Sequence, residues 1–276
     1  KSVCGPQIQR DKRSRRRCPQ KRSYRVHQLA QDARWPSCPG RRIITVFHNR
    51  ARVSSPLSVS GRGEHRYGIV TRTSAKAYLG RGQLINVERE AKMTGPLYVK
   101  GFMILKGYIK GKYGQDKPLS FSASISFEQE HSPLDGDSAS STELYALLSE
   151  LSGLPLSQSI AVTGAVNQNG DVQAIGGATH KIEGFFDLCE ARGLSGTQGF
   201  IIPKDNVKDL VLKDEVVQAV RDGLFQVYGV STIDEGIEVL TGVTAGQAGE
   251  DDHYPKGSVH QLVEKRLQGM ARMARD

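Results

Sequence analysis

Two short stretches carry side chains able to break an amide bond without a histidine. The first is Asp135-Gly136-Asp137-Ser138-Ala139-Ser140, and the second, well downstream, is Ile175-Gly176-Gly177-Ala178-Thr179-His180-Lys181. A serine hydroxyl is a weak nucleophile at neutral pH and needs a neighbour to take its proton. A lysine can do so only when burial or local positive potential keeps its amine neutral. The chemistry therefore requires Ser138 and Lys181 to meet in the fold.

Each stretch has local features suited to that role. Gly136-Asp137-Ser138-Ala139-Ser140 departs from the G-x-S-x-G nucleophile elbow only at its last residue. A serine at a helix N-terminus also lies beside free backbone N–H groups and the positive end of the helix dipole. Such donors stabilise a tetrahedral oxyanion by about 3 kcal/mol each. Lys181 opens a second predicted helix, where the same potential and burial lower its pKa. The Gly176-Gly177 pair before it lets backbones approach closely. Taken singly, the serine turn also fits an N-cap cluster and the lysine also fits a solvated surface. Ser140 and Ser141 sit deeper in the predicted helix, and Asp137 reads as a turn residue. His131 and His180 lie near the motifs without an obvious carboxylate to orient them. No H-E-x-x-H metal signature occurs.

The elements that must bring these residues together read as α+β. Ile43–Phe47 is β-branched and aromatic, as a strand should be, and 77–79 with 84–87 predict a hairpin around Gly80-Arg81-Gly82. Helical spacing runs from Leu97 to Ile109, and 121–127 alternates apolar residues with serine. Leu144, Leu147, Leu148 and Leu151 mark a helix from about Ser140, where Ser140 and Glu143 have the form of a capping box. Strands at 160–166 and 171–175 flank an Asn169-Gly170 hairpin signal. A helix through Ile182, Phe185, Phe186 and Cys189 ends at Gly193. Strand 199–202, helix 215–221, strand 225–230 and helix 233–240 follow, an alternation that predicts a mixed or partly parallel sheet with helices packed on it. Residues 241–252 read as a linker, and Val259, Leu262, Val263, Leu267, Met270 and Met273 as a last helix without an evident partner.

The net charge of +9 over 276 residues is unevenly placed. Residues 1–52 hold 15 Lys or Arg against Asp11 and Asp32, whereas the remainder holds 23 basic and 27 acidic residues. The run Arg13-Ser14-Arg15-Arg16-Arg17 with Pro19, Pro36 and Pro39 makes 1–42 a basic, disordered arm, either a solvated tail or a weak nucleic-acid binder. Cys4, Cys18 and Cys38 lack C-x-x-C or paired-His spacing, which argues against a zinc site, and Cys189 reads as a core residue. Scattered cysteines, the lack of a long apolar run and the lack of a signal peptide lead us to expect a soluble cytoplasmic protein with no membrane contact. The chain begins with Lys1 rather than Met, which leaves room for a longer polypeptide.

Combined, the motifs are recognisable. Thr163-Gly164 in a strand, the Asn-Gly hairpin, Ile-Gly-Gly-x-x-x-Lys and the upstream Asp-Gly-Asp-Ser-Ala-Ser resemble the proteolytic domain of the Lon family of ATP-dependent proteases, over roughly residues 66–242. The Asp-Ser-Ala-Ser form is similar to the B-type branch. The resemblance implies that Ser138 is the nucleophile and Lys181 the general base, that Thr163 hydrogen-bonds near the lysine and that Asp135 lies close enough to tune it. A carboxylate beside Lys181 would raise its pKa and oppose its role as base. The implied organisation is a basic arm at 1–42, a Lon-like serine protease domain at 43–242, and a linker with a C-terminal helix at 243–276. Unfolded protein substrates and a homo-hexameric ring are also implied. No G-x-x-x-x-G-K-[ST] phosphate loop is present, so no cofactor is expected in this chain, and ATP only through an ATPase module elsewhere. The other reading is a noncatalytic oligomerisation module of the same fold whose basic arm binds nucleic acid.

Overall fold

The structure is a computed structural model that describes residues 43–50, 67–115, 118–128, 133–249 and 253–275. The arm 1–42 and His131 lie outside the described residues. In chain order the elements are β1 (Ile43–Arg50), β2 (Tyr67–Leu79), β3 (Leu84–Asn86), α1 (Val87–Glu90), α2 (Pro96–Tyr113), β4 (Phe121–Glu128), α3 (Ser140–Ser152), β5 (Ile160–Val162), β6 (Ala165–Val166) and β7 (Val172–Gln173). They continue with α4 (Ala178–Glu190), β8 (Gln198–Pro203), a 3-10 turn (Lys204–Asp209), α5 (Asp214–Arg221), β9 (Phe225–Val230), α6 (Ile233–Thr241) and α7 (Val259–Met273).

Seven strands form one mixed sheet in the order β3-β4-β2-β1-β5-β8-β9. Its two halves differ in sense. Strand β2 pairs antiparallel with β1 and β4, whereas β1, β5, β8 and β9 run parallel. The parallel half follows from the alternation of short apolar strands with helices, since a parallel return needs a crossover longer than a turn. Its central strands β5 and β8 are buried almost throughout, as the unbroken apolar Ile160–Val162 indicates. The α+β class read from the pattern is the class observed.

Three local expectations change. The residues around Gly80-Arg81-Gly82 do not make a hairpin, because β3 pairs parallel with β4, and β4 lies between β3 and β2. The Gly80 and Gly82 amides instead donate to the carbonyls of Ser120 and Phe121, so the tight turn wraps the start of β4. The strand expected at 160–166 breaks at Thr163-Gly164, leaving β5 in the large sheet and β6 in a separate ribbon with β7. In that ribbon Asn167 N–H donates to the Asp171 carbonyl, and Gly170 takes φ +91°. The Asn-Gly pair thus ends a three-residue loop with glycine in the left-handed position, rather than forming a two-residue turn.

The third change concerns α3. Every residue from Ser140 to Leu151 is buried, not just the leucine stripe. The helix lies against β2, and the C-terminal helix α7 packs on it, so its expected polar side is also covered. Val259, Val263, Leu267 and Met270 of α7 enter the same core as Leu144, Leu147 and Leu148. The stretch before α7 packs on the fold at Ala245, which is 2% exposed and whose carbonyl accepts from His260 N–H. The capping box is not formed. Ala139 occupies the N-cap without a side-chain bond, and Glu143 is drawn into a buried cluster with Tyr98 and Asn86. Among the described residues no helix is long and apolar enough to cross a membrane.

Candidate active site

The turn that carries Ser138 is tied to the end of β5. Thr163 N–H still donates to the Ile201 carbonyl of β8, and the chain then turns so that Gly164 N–H donates to the Ser138 carbonyl and the Gly164 carbonyl accepts from Ser141 N–H. A side chain at Gly164 would come within 3.0 Å of Val172 and 3.1 Å of the Ser141 hydroxyl, so glycine allows this close approach without moving either neighbour. Ser140 Oγ accepts from Val166 N–H at 3.1 Å and is committed to that contact. Ser140 and Ser141 are 2% and 1% exposed, whereas Ser138 keeps partial access to solvent.

Lys181 arrives from the other side. Gly177, at φ +72°, is the N-cap of α4, and Lys181 N–H donates to its carbonyl, which places the lysine in the first turn. Asn206 holds the loop before it by accepting from Ile175 N–H at 2.9 Å and donating to Ile175 O at 3.0 Å. Deeper in α4, Phe185 and Phe186 meet Phe200 and Phe225 edge to face, with centroids 5.8 and 5.4 Å apart. Such contacts add about 0.5–1.5 kcal/mol each to the area they bury and fix the helix on β8 and β9.

The two stretches meet. Lys181 is 1% exposed, and its Nζ donates to Ser138 Oγ at 3.0 Å and Thr163 Oγ1 at 2.9 Å. Thr163 Oγ1 in turn donates to the Ser138 carbonyl at 3.1 Å. The threonine therefore engages one side of the amine while holding the backbone of the serine that the amine must reach. Burial lowers the Lys181 pKa to about 8, against an opposing pull from Asp137. The amine of a group so placed is neutral in a large fraction of molecules at slightly alkaline pH, the state that accepts a proton.

The Asp135 carboxylate is committed to other partners. Its Oδ1 accepts from Leu97 N–H at 3.1 Å, Tyr98 N–H at 3.3 Å and Gly136 N–H at 2.9 Å, so it caps the start of α2. The carboxylate acting on Lys181 is that of Asp137, which the sequence presents only as a turn residue. The separation has a local cause, since Gly136 takes φ +95° between them and turns the chain. Ser138 Oγ is bonded by the Lys181 amine. Among the described residues no cluster of three His, Cys, Asp or Glu could hold a metal ion. Asn206 was not visible as a site residue, because its part is a tertiary contact with a loop 31 positions away.

Residues 81–242, more than half of the chain, match the model of the Lon protease (S16) C-terminal proteolytic domain. The chain belongs to that family. It is 42% identical over 174 residues to a putative Lon protease homolog of Escherichia coli, covering 63% of this chain and 30% of that protein. It is 39% identical over 205 residues to a putative Lon protease homolog of Haemophilus influenzae, covering 74% of this chain and 34% of the relative. An archaeal Lon protease of Archaeoglobus fulgidus is 31% identical over 160 residues, 58% of this chain and 22% of its own length. The chain thus spans about a third or less of these relatives.

Proposed function

We propose that this chain is a serine endopeptidase domain in which Ser138 attacks the peptide carbonyl and Lys181 acts as general base. The neutral Lys181 amine takes the Ser138 Oγ proton as the C–O bond forms. The tetrahedral oxyanion lies against backbone N–H groups of the turn that leads into α3, because those of Ser140, Ser141 and Thr142 are already given to Asp137, Gly164 and Ala139. The lysine ammonium then gives its proton to the leaving amine as the C–N bond breaks, which leaves an acyl-enzyme. Water attacks that ester with Lys181 again as base, and Ser138 is regenerated. Thr163 keeps the amine directed at Ser138 throughout. The observation that carries this reading is a buried lysine amine 3.0 Å from a partly accessible serine hydroxyl. A noncatalytic module of the same fold would have no need to keep an ammonium-forming group desolvated there.

Family membership supports unfolded polypeptides as substrates, an oligomeric ring and an ATPase module, in a longer chain or a partner, that feeds the site. The greater length of the relatives is consistent with such a module. The direct test is degradation of fluorescently labelled unfolded casein by the purified chain and its Ser138→Ala variant. We expect cleavage by the first and none by the second, with both equally folded; undiminished cleavage by the variant would place the nucleophile elsewhere.

A further inference from the structure

One residue of α2 touches the nucleophile turn in three ways. The Tyr98 backbone N–H donates to Asp135 Oδ1, three positions before Ser138. Its ring packs in a small buried cluster with Leu134, Ala139 and Phe127, and Ala139 follows Ser138 directly. Its hydroxyl donates to Glu143 Oε1 at 2.5 Å, five positions after Ser138. Asn86 Nδ2 lies 2.6 Å from the same hydroxyl and 3.1 Å from the same carboxyl oxygen. Tyr98, Asn86 and Glu143 are 2%, 0% and 1% exposed.

The helix that carries Tyr98 is shaped to the turn. A side chain at Gly95 would collide with the Asp135 carboxylate at 2.4 Å, and one at Gly101 would press on Asp137 Cβ at 3.0 Å. Segment 135–143 is therefore moulded on the first turns of α2, with Ser138 between two anchors on a single residue. We propose that Tyr98, acting through Glu143 and Asn86, is a positioning residue that fixes Ser138 Oγ within reach of Lys181. The inference rests on the Ser–Lys reading above.

The polar character of the contact is what makes it a register device. Apolar side chains of similar volume would fill the same space but tolerate sliding, whereas a buried carboxyl leaves an unmet hydrogen bond if α2 and α3 shift. Glu143 faces Tyr98, Asn86 and the carboxylate of Glu88, and burial holds its pKa up at about 8. Below that pH the cluster contains a neutral acid, so it needs no counter-ion. Glu88 Oε1 is separately held by Phe127 N–H at 2.8 Å and the Ser126 hydroxyl at 2.9 Å. The backbone that carries Lys181 is positioned independently, by Gly177 and through Asn206 on Ile175. Loss of the Tyr98 contact should therefore displace the nucleophile relative to a base that stays where it was.

The test is Tyr98→Phe, which preserves the ring and removes the hydroxyl, assayed on a short fluorogenic peptide. We expect kcat to fall about tenfold or more with KM within about twofold, because displacement of reacting groups by a fraction of an ångström acts on the chemical step. Glu143→Leu should fall likewise, and Glu143→Gln, which keeps an acceptor oxygen for Tyr98, should recover most of that loss. The Tyr98→Phe/Glu143→Leu double variant should be no slower than the worse single one. Amide hydrogen exchange across 136–143 should accelerate in Tyr98→Phe, a readout that needs no turnover. Wild-type kcat and exchange in Tyr98→Phe, with only a lower melting temperature, would overturn the inference. Should Tyr98→Phe fail to fold, the Gln and Leu variants at Glu143 carry the same comparison, and equal kcat in both would overturn it. Ser138→Ala and Lys181→Ala run alongside: their inactivity with an unaffected Tyr98→Phe removes only this inference, whereas cleavage by Ser138→Ala removes the dyad reading itself.

Discussion

Lys181 pays for its position, because a charged amine buried at 1% exposure is desolvated, and among the described residues its hydrogen bonds go to two uncharged hydroxyls. Its pKa falls from 10.5 unfolded to about 8 folded. Below pH 8 the lysine is charged in both states, and the folded state bears the full desolvation cost. Between about 8 and 10.5 the unfolded chain holds the proton and the folded one does not, so this group's contribution to stability rises with pH. Lys181→Met should accordingly abolish cleavage and yet stabilise the domain at pH 7 by on the order of 1–3 kcal/mol, the scale of a shift of this size. Urea denaturation of both proteins checks this, and a less stable Met variant would contradict it. Asp137 opposes the lowering, so Asp137→Asn should move the rise of the pH–activity curve to lower pH; an unmoved curve would leave Asp137 without that influence. Ser138 and Lys181 were legible in the sequence because glycine spacing and helix starts mark them. The assignment of Asp135 to the lysine was not a matter of spacing, since Gly136 sends Asp135 to the α2 terminus and leaves Asp137 with Lys181.

At the level of elements, α4, α5, β9 and α6 were readable from apolar periodicity, and their strands and helices lie within a few residues of where the pattern placed them. What periodicity could not reveal is pairing between distant segments. The Gly80–Gly82 turn resembles a hairpin until β4, some forty residues on, is inserted between its arms. The Ser140/Glu143 pair has capping-box spacing, but Tyr98 and Asn86 compete for the carboxyl and win it inside the core. That capture has a thermodynamic signature. The Glu143 pKa rises from 4.5 to about 8, so the stability this acid contributes is complete below 4.5 and is lost as pH climbs toward 8. Glu143→Gln should flatten that part of the curve. Comparing urea midpoints at pH 5 and pH 8, the wild type should lose more stability than the variant over the interval; parallel losses would show that Glu143 titrates normally.

On the scale of the whole molecule, the C-terminal helix is the element whose partner the sequence did not disclose, and it covers α3, the helix that follows Ser138. Burial of Val259, Val263, Leu267 and Met270 is worth about 1.5–3 kcal/mol per side chain, a sum comparable with the total stability of an ordinary domain. His260 ties the same helix down: its Nδ1 lies 2.6 Å from the Tyr113 hydroxyl and its Nε2 2.9 Å from Asp234. A chain ending at Asp252 should therefore show no cooperative melt by circular dichroism, and a melt near the full-length midpoint would contradict the packing argument. The fold thus brings a serine from one helix start and a lysine from another to a single contact, with a threonine on the intervening strand end.

The measurement that bears most directly on this arrangement is the pH dependence of kcat/KM for peptide cleavage by the wild type, with Lys181→Ala as its control. The account predicts a single limb rising to alkaline pH with its midpoint near 8, where burial places the Lys181 amine, and no cleavage by the variant. Retained activity in Lys181→Ala, or a limb near the ordinary histidine value of about 6.5, would contradict lysine as the base.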